Sequence, residues 1–357
     1  MSTSNEPLRI SDDDLRSPKV EEYLAIQQNL RREIGEIEQT PLFFRIFYSS
    51  WFYLALASGL GALVAWMIFE PFVDDNEMQA GTSGAAVLLM FPTVAGCVGL
   101  FLGAAEGIMC RNPGRALISA AVGLGVGFAG GLVAIFAAGI IFLVAGAAAG
   151  MLSGELQEGQ MPKGLGFLAL MIGRGAAWAV AAIPAGLGQG IAQRDKKVAL
   201  NGLLGGVLGG LLGGLFFDPI SLVLTTADGQ AAASRGVGFT LIGILVGLFV
   251  GLVEGWTKTA WLLMRQGPLS GKQFILFRDT TVLGSSPKSD VYLFKDAAIE
   301  PRHAVIYNRG GRFEIEDCQT PEGTYVNGIP ITRHWLQSGE QIVMGKTVLE
   351  FALKETH

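Results

Sequence analysis

Residues 200–214 read LNGLLGGVLGGLLGG, and this stretch decides the fold of most of the chain. Gly202, Gly206, Gly210 and Gly214 recur every four residues, with Gly205, Gly209 and Gly213 on the adjacent row. Residues four apart share one face of a helix. The context is not the strand-to-helix turn that a phosphate-cradling loop requires. In lipid there is little hydrophobic drive between helices, so close backbone approach and dispersion must hold them together, and a groove of glycines permits that approach. The same spacing returns at Gly99, Gly103 and Gly107, at Gly123, Gly127 and Gly131, and at Gly243, Gly247, Gly251 and Gly255. Such faces close within one chain or between chains as a homo-oligomer; the spacing alone does not choose.

Composition agrees. Of 357 residues 50% are apolar and 16% charged, glycine numbers 50, and mean hydropathy is +0.43. An ordinary soluble domain carries about 25% charged residues. A disordered chain is excluded, and the strict three-residue glycine period of collagen is absent. The net charge of −5 argues against a nucleic-acid partner. Cys97, Cys110 and Cys318 are far apart, with neither metal spacing nor a disulfide framework.

Six segments are long enough to cross a bilayer, near 47–69, 84–109, 116–142, 172–192, 198–217 and 237–257. Their connections alternate in charge. Glu70, Asp74, Asp75 and Glu77 make the first acidic; Arg111 and Arg115 make the second basic. Glu155 and Glu158 outweigh Lys163 in the third, and Arg194, Lys196 and Lys197 make the fourth basic. The fifth sets Asp218 and Asp228 against Arg235, and Lys258 and Arg265 follow the last span. The positive-inside rule then places both termini in the cytosol of what reads as a bacterial inner-membrane protein. Residues 116–152 are uncharged and as one helix would run about 55 Å, well beyond a 30 Å core. The expectation is a single span followed by a buried or re-entrant segment near 143–171.

The even-numbered spans end alike, in GAAEG at 103–107, GLGQG at 186–190 and GLVEG at 251–255, which suggests three related hairpins. Glu106 and Glu254 therefore lie near the cytosolic boundary, hydrated or paired with Arg111 or Lys258, with Gln189 at the matching position. Arg174 reads as a snorkelling anchor at the outer interface. Polar groups inside a membrane are also functional candidates, and Glu106, Arg174, Gln189 and Glu254 would form the polar path of a transporter.

The first 46 residues carry nine acidic and six basic side chains, without the basic start and early apolar run of a secretory signal. Val20, Tyr23, Leu24, Leu30, Ile34 and Ile37 fall on one helical face. That helix is either a solvated lead into the membrane or a coiled-coil docking element.

From residue 266 to 357 the apolar runs become short and alternate with polar residues, as in FILF at 274–277, AVIY at 304–307 and RFEIE at 312–316. Turn residues divide them at Gly284, Asn308–Gly311, Asn327-Gly328 and Gly345, which reads as a soluble β-sandwich. The expected division is thus a cytosolic segment 1–46, a six-span region 47–265 and a sandwich 266–357.

Within that sandwich an ordered set of pieces carries a resemblance: Leu283-Gly284, SDVYL at 289–293, His303-Ala304, GTYVNG at 323–328, Leu336–Gly339, IVMG at 342–345 and LEF at 349–351. Between residues 272 and 353 the region resembles a forkhead-associated (FHA) domain. The resemblance implies an eleven-stranded β-sandwich whose loops at one end bind phosphothreonine. Three positions that contact phosphate or peptide in that family are changed: Ser285 stands for Arg, Glu300 for Ser and Glu322 for Asn. Losing the Arg removes a bidentate, charge-assisted contact. A carboxylate about 4 Å from a phosphate costs on the order of 4 kcal/mol at an effective dielectric near 20. The hydroxyls of Ser285, Ser286 and Thr324 would offset that only in part, and Lys288 and Arg302 only by turning inward. His303, Gly323, Thr324, Asn327 and Gly328 match the family pattern.

Three function classes follow. The first is a membrane scaffold presenting an FHA-like module with a degenerate pocket to a cytosolic protein, or, as a variant, a phosphothreonine-dependent adaptor for a phosphoprotein. The second is a transporter or channel regulated by that module. The third, an enzyme, lacks a Ser-His-Asp order, a metal cluster and a nucleotide loop, so no cofactor is expected.

Overall fold

The computed structural model describes residues 41–75, 85–153, 161–226 and 230–354. The helical face read at 20–37 lies outside them. Two compact units emerge, a helical unit Leu42–Thr259 and a β unit from Ala260 onward. The β unit therefore begins ahead of the boundary expected at 265/266, because residues 260–266 pair as a strand.

After a short helix at Leu42–Phe47, six long apolar helices follow: α1 (Ser50–Phe69), α2 (Ala85–Met109), α3 (Pro113–Ser153), α4 (Leu165–Gln193), α5 (Lys196–Leu224) and α6 (Ala232–Thr257). All six are long and apolar enough to cross a membrane, which makes this a multi-pass membrane protein. Each packs on its neighbour in sequence, and α6 returns to α1, closing a ring. The ring is filled. Phe91, Trp178, Phe239 and Phe217 form a chain of rings with centroids 4.8, 5.6 and 5.6 Å apart, and Leu54, Leu102 and Ile242 are buried beside them.

The glycine rows do what their spacing implies. A Cβ on Gly123 would fall on the Gly99 carbonyl oxygen, and one on Gly202 on that of Gly186. Gly209 and Gly213 meet the backbone of Val246 and Ile242, and Gly247 meets that of Leu54. Gly130 lies against the Pro184 ring, so this helix-interior proline fills a glycine gap.

The re-entrant segment expected near 143–171 is replaced by continuous helix to Ser153, with α4 starting at Leu165. At 41 residues α3 runs about 60 Å. Gly131, Ala134, Ala138, Ala145 and Ala149 stay buried along one face, so small-residue contact with α4 continues past the length a bilayer demands. The fifth connection is also shorter than the charge pattern suggested, since α5 continues through Asp218 and Pro219 to Leu224.

The β unit has eleven strands among the described residues: β1 (Ala260–Gln266), β2 (Gln273–Ile275), β3 (Thr280–Gly284), β4 (Val291–Tyr292), β5 (Ala304–Arg309), β6 (Arg312–Asp317), β7 (Thr324–Val326), β8 (Ile329–Ile331), β9 (Arg333–Trp335), β10 (Gln341–Met344) and β11 (Thr347–Leu353). They form a six-stranded sheet, β2-β1-β11-β10-β7-β8, and a five-stranded sheet, β4-β3-β5-β6-β9. Alternation sends Ala260, Leu262 and Met264 of β1 inward, and Leu262 pairs with Phe351 of β11. Phe313 of the second sheet meets Phe351 at 5.4 Å between ring centroids. Asn327 and Gly328 both take positive φ, 51° and 81°, the two-residue turn that matches strand twist between β7 and β8.

Candidate functional site

Three loops at one end of the sandwich are tied together by backbone contacts: β3–β4, β4–β5 and β6–β7. The Ser285 N–H donates to the Glu300 carbonyl at 2.9 Å, and the Ser289 hydroxyl donates to that of Pro301 at 2.9 Å. A Cβ at Gly284 would strike the Pro301 carbonyl, so glycine is required there. His303 is the central brace and is fully buried. Its Nδ1 accepts the Glu300 N–H at 3.2 Å, and its Nε2 lies 3.1 Å from the Gly323 carbonyl. One imidazole thus links the loops that carry Glu300 and Glu322.

Asp317 organises the third loop. Its Oδ1 accepts the Thr324 hydroxyl at 2.7 Å and the Thr320 hydroxyl at 3.0 Å, and its Oδ2 accepts the Thr320 N–H at 3.0 Å. Burial pushes this carboxyl up, but the bonds from Thr324 and Thr320 and the adjacent His303 outweigh burial and hold it below the usual range. Motif reading missed Asp317, because nothing in the spacing shows which acid the threonines face.

The candidates separate accordingly. Thr324 is fully buried with its hydroxyl committed to Asp317, so it is not available to a ligand, contrary to the expectation that its hydroxyl would line the pocket. Ser286 Oγ accepts the Lys288 N–H at 3.2 Å. Lys288, Glu300, Arg302 and Glu322 are exposed, Ser285 is half-buried, and Arg302 acts electrostatically on Glu316 and Tyr307 along the sheet. Gly323 takes φ +69° as the loop turns into β7. The Asn327 side chain spans to the β9–β10 turn, its Oδ1 accepting the Gln341 N–H at 3.0 Å and its Nδ2 donating to Glu340 at 3.3 Å.

Two packed sheets with loops braced at one end define a β-sandwich interaction module. A family model described as "FHA domain" matches residues 281–345, and through this C-terminal domain the chain belongs to the FHA family. An FHA domain is a binding module, not a catalytic one. Over 101 residues the chain is 38% identical to the oxoglutarate dehydrogenase inhibitor of Corynebacterium jeikeium, covering 28% of this chain and 67% of that protein. It is 37% identical over 100 residues to the glycogen accumulation regulator GarA of Mycolicibacterium smegmatis, covering 28% of this chain and 63% of that one. The chain thus spans about two thirds of the length of these curated relatives. It is also similar to the N-terminal FHA domain of Rad53p from S. cerevisiae, solved with a phosphothreonine peptide, at 17% identity and a TM-score of 0.25, over 27% of this chain and 94% of that one.

The polar residues of the helices fall into separate places. Glu106 accepts the Tyr53 hydroxyl at 2.6 Å and the Cys110 thiol at 3.2 Å, and Glu254 acts electrostatically on the same tyrosine. Glu106 is therefore braced by Tyr53 of α1 and by Cys110, just past the end of its own helix. Gln189 is buried in α4. Arg174 is not a free snorkelling anchor. Its Nε lies 2.7 Å from Asp218 Oδ1 across the α4–α5 contact, and its guanidinium sits 4.7 Å from the Phe142 ring and 5.0 Å from that of Phe217. Asp218, read from sequence as a loop charge, is 1% exposed. Arg235 grips Glu70 through Nε at 3.0 Å and Nη2 at 2.5 Å, and Asp75 through Nη1 at 2.5 Å. That bond from Arg235 holds the Asp75 carboxyl below its usual range against the opposing pull of burial.

Proposed function

We propose that this chain is an integral membrane scaffold that presents its FHA domain to a cytosolic protein and engages it without requiring phosphothreonine. The single observation that carries the reading is the loop face itself. Ser285, Glu300 and Glu322 stand where the family contacts phosphate or peptide, and the Thr324 hydroxyl is buried on Asp317. A phosphate with −1.5 to −2 charges would meet two carboxylates and no arginine fork. The helical ring supports a holding role over a conduit, because aromatic and aliphatic side chains fill its centre. The basic α2–α3 and α4–α5 connections, with Lys258 and Arg265 after α6, support a cytosolic domain.

The test is a titration of the full chain in phosphatidylcholine nanodiscs with matched threonine and phosphothreonine peptides. No gain from phosphate is expected; a phosphate-dependent gain overturns the reading. Orientation is checked at Lys346, an exposed residue of the β10–β11 turn. A Lys346→Cys variant in intact cells is expected to escape a membrane-impermeant thiol reagent beyond the wild-type background.

A further inference from the structure

Two turns of the helical unit repeat one another. GIMCRN at 107–112 closes α2 and GIAQRD at 190–195 closes α4, and Ala116-Leu117 and Ala199-Leu200 stand at matching places in the helices that follow. The Arg111 N–H donates to the Ile108 carbonyl at 3.0 Å and the Arg194 N–H to that of Ile191 at 3.1 Å. The next N–H reaches back to a glycine carbonyl in both, Asn112 to Gly107 at 2.8 Å and Asp195 to Gly190 at 3.0 Å. A Cβ on Gly107 would strike Ala116, and one on Gly190 would strike Ala199. Arg111 and Arg194 take φ 51° and 53°, and apart from glycine no other described residue of the helical unit has a positive φ. This left-handed position past a helix end is usually glycine, a residue the chain spends freely elsewhere. An arginine held there twice, against backbone preference, points to a use for its side chain.

From this pair of turns we infer that Arg111 and Arg194 each bind the headgroup of an anionic phospholipid. The turns themselves give the guanidinium groups no task. The closing carbonyls of α2 and α4 are met by the backbone N–H groups just named. The starts of α3 and α5 are capped by Asn112 and Asp195, whose Oδ1 atoms accept the N–H of Arg115 at 3.0 Å and of Lys197 at 2.9 Å. Both arginines are exposed, and their side chains have no hydrogen-bond, ion-pair or ring partner among the described residues. Bare aliphatic side chains lie within two turns of each: Ile108 at 63% and Leu117 at 73% exposure around Arg111, Ile191 at 47% and Leu200 at 55% around Arg194. A cation at the end of a span with open aliphatics beyond it complements a phosphate that carries acyl chains. The site does not depend on what the FHA domain binds.

The test offers the full chain, in dodecyl maltoside micelles, dioleoyl phosphatidylglycerol against dioleoyl phosphatidylcholine. Retained lipid is counted by native mass spectrometry and the melting transition is followed alongside. Phosphatidylglycerol is expected to be preferred. Arg111→Gly and Arg194→Gly are each expected to cut that preference about fivefold, the size of one basic side chain at an anionic surface. Neither is expected to lower the melting transition in phosphatidylcholine, since glycine accepts the φ of the turn. Arg45→Gln, an exposed cation outside both turns, is expected to leave the preference intact. A preference that persists in the double glycine variant overturns the inference, and so does an equal loss in Arg45→Gln, because diffuse charge then suffices. A lowered melting transition with unchanged lipid retention overturns it too, assigning the arginines to the turn alone. Glycerol 3-phosphate raising the melting transition as far as phosphatidylglycerol does would remove the lipid as occupant. None of these outcomes bears on the peptide titration that tests the FHA domain.

Discussion

At Gly123 the backbone of α3 lies on the Gly99 carbonyl of α2, with no side chain between them; at Leu262 of β1 a leucine faces Phe351 across the ladder. Both contacts hold one domain of this chain, by opposite means. In the ring, attraction comes from bringing backbones close, because lipid is as apolar as any side chain that could be buried. In the sandwich it comes from withdrawing large side chains from water, so alternation and size matter while backbones stay a strand's width apart. Polar groups follow the same division. The described ion pairs of the helices are few and enclosed, as at Arg174–Asp218 and Arg235–Glu70–Asp75, whereas those of the sandwich lie on its surface.

The contrast is broken most severely at the enclosed charges. Arg235→Gln leaves Glu70 and Asp75 facing each other without a cation, and a loss of about 3–5 kcal/mol is expected in detergent-titrated unfolding of the full chain. Overpacking a glycine contact comes next. Gly123→Val is expected to cost about 3 kcal/mol in the same assay, whereas Gly139→Val, where a Cβ meets nothing within 4 Å, is expected to be tolerated. Equal losses from both valines would show that spacing alone, without a facing backbone, governs the ring.

In the sandwich, Asp317→Asn is expected to cost about 2 kcal/mol of domain stability, because one acceptor oxygen replaces two, and with that oxygen kept on the threonine hydroxyls the Thr320 N–H faces an amide donor. Its pH dependence sharpens the point. The folded carboxyl titrates below the unfolded one, so its stabilisation is complete above about pH 4 and is lost as pH falls through the folded value. The wild-type melting transition is expected to fall over that acid range more steeply than the variant's. Smaller still, Thr324→Val is expected to cost about 1 kcal/mol and to leave peptide selection unchanged, a result that separates a loop brace from a ligand contact.

Much of this molecule was legible before its structure, and the misreadings share one cause. The glycine rows, the six apolar helices and the FHA strands are written in short-range periods of four and two, which any stretch of chain reports about itself. The charge count treated Asp218 as part of a loop and Arg174 as an anchor, because neither residue carries a mark of the other. The length of residues 116–152 suggested a break that α3 does not make, since Ala145 and Ala149 remain buried against a helix still to come in the chain. Thr324 lay inside a motif and so passed for a ligand contact until its hydroxyl was seen to turn onto Asp317.

Residue order thus sufficed for the six apolar spans and the β-sandwich after them, and for the loops that carry the changed residues at 285, 300 and 322, but not for the ends of α3 or the start of β1. Three-dimensional placement was needed to learn which charges neutralise one another and which stay open. Pairing depends on the direction and depth of side chains brought together from distant parts of the chain, and local periodicity carries no record of either.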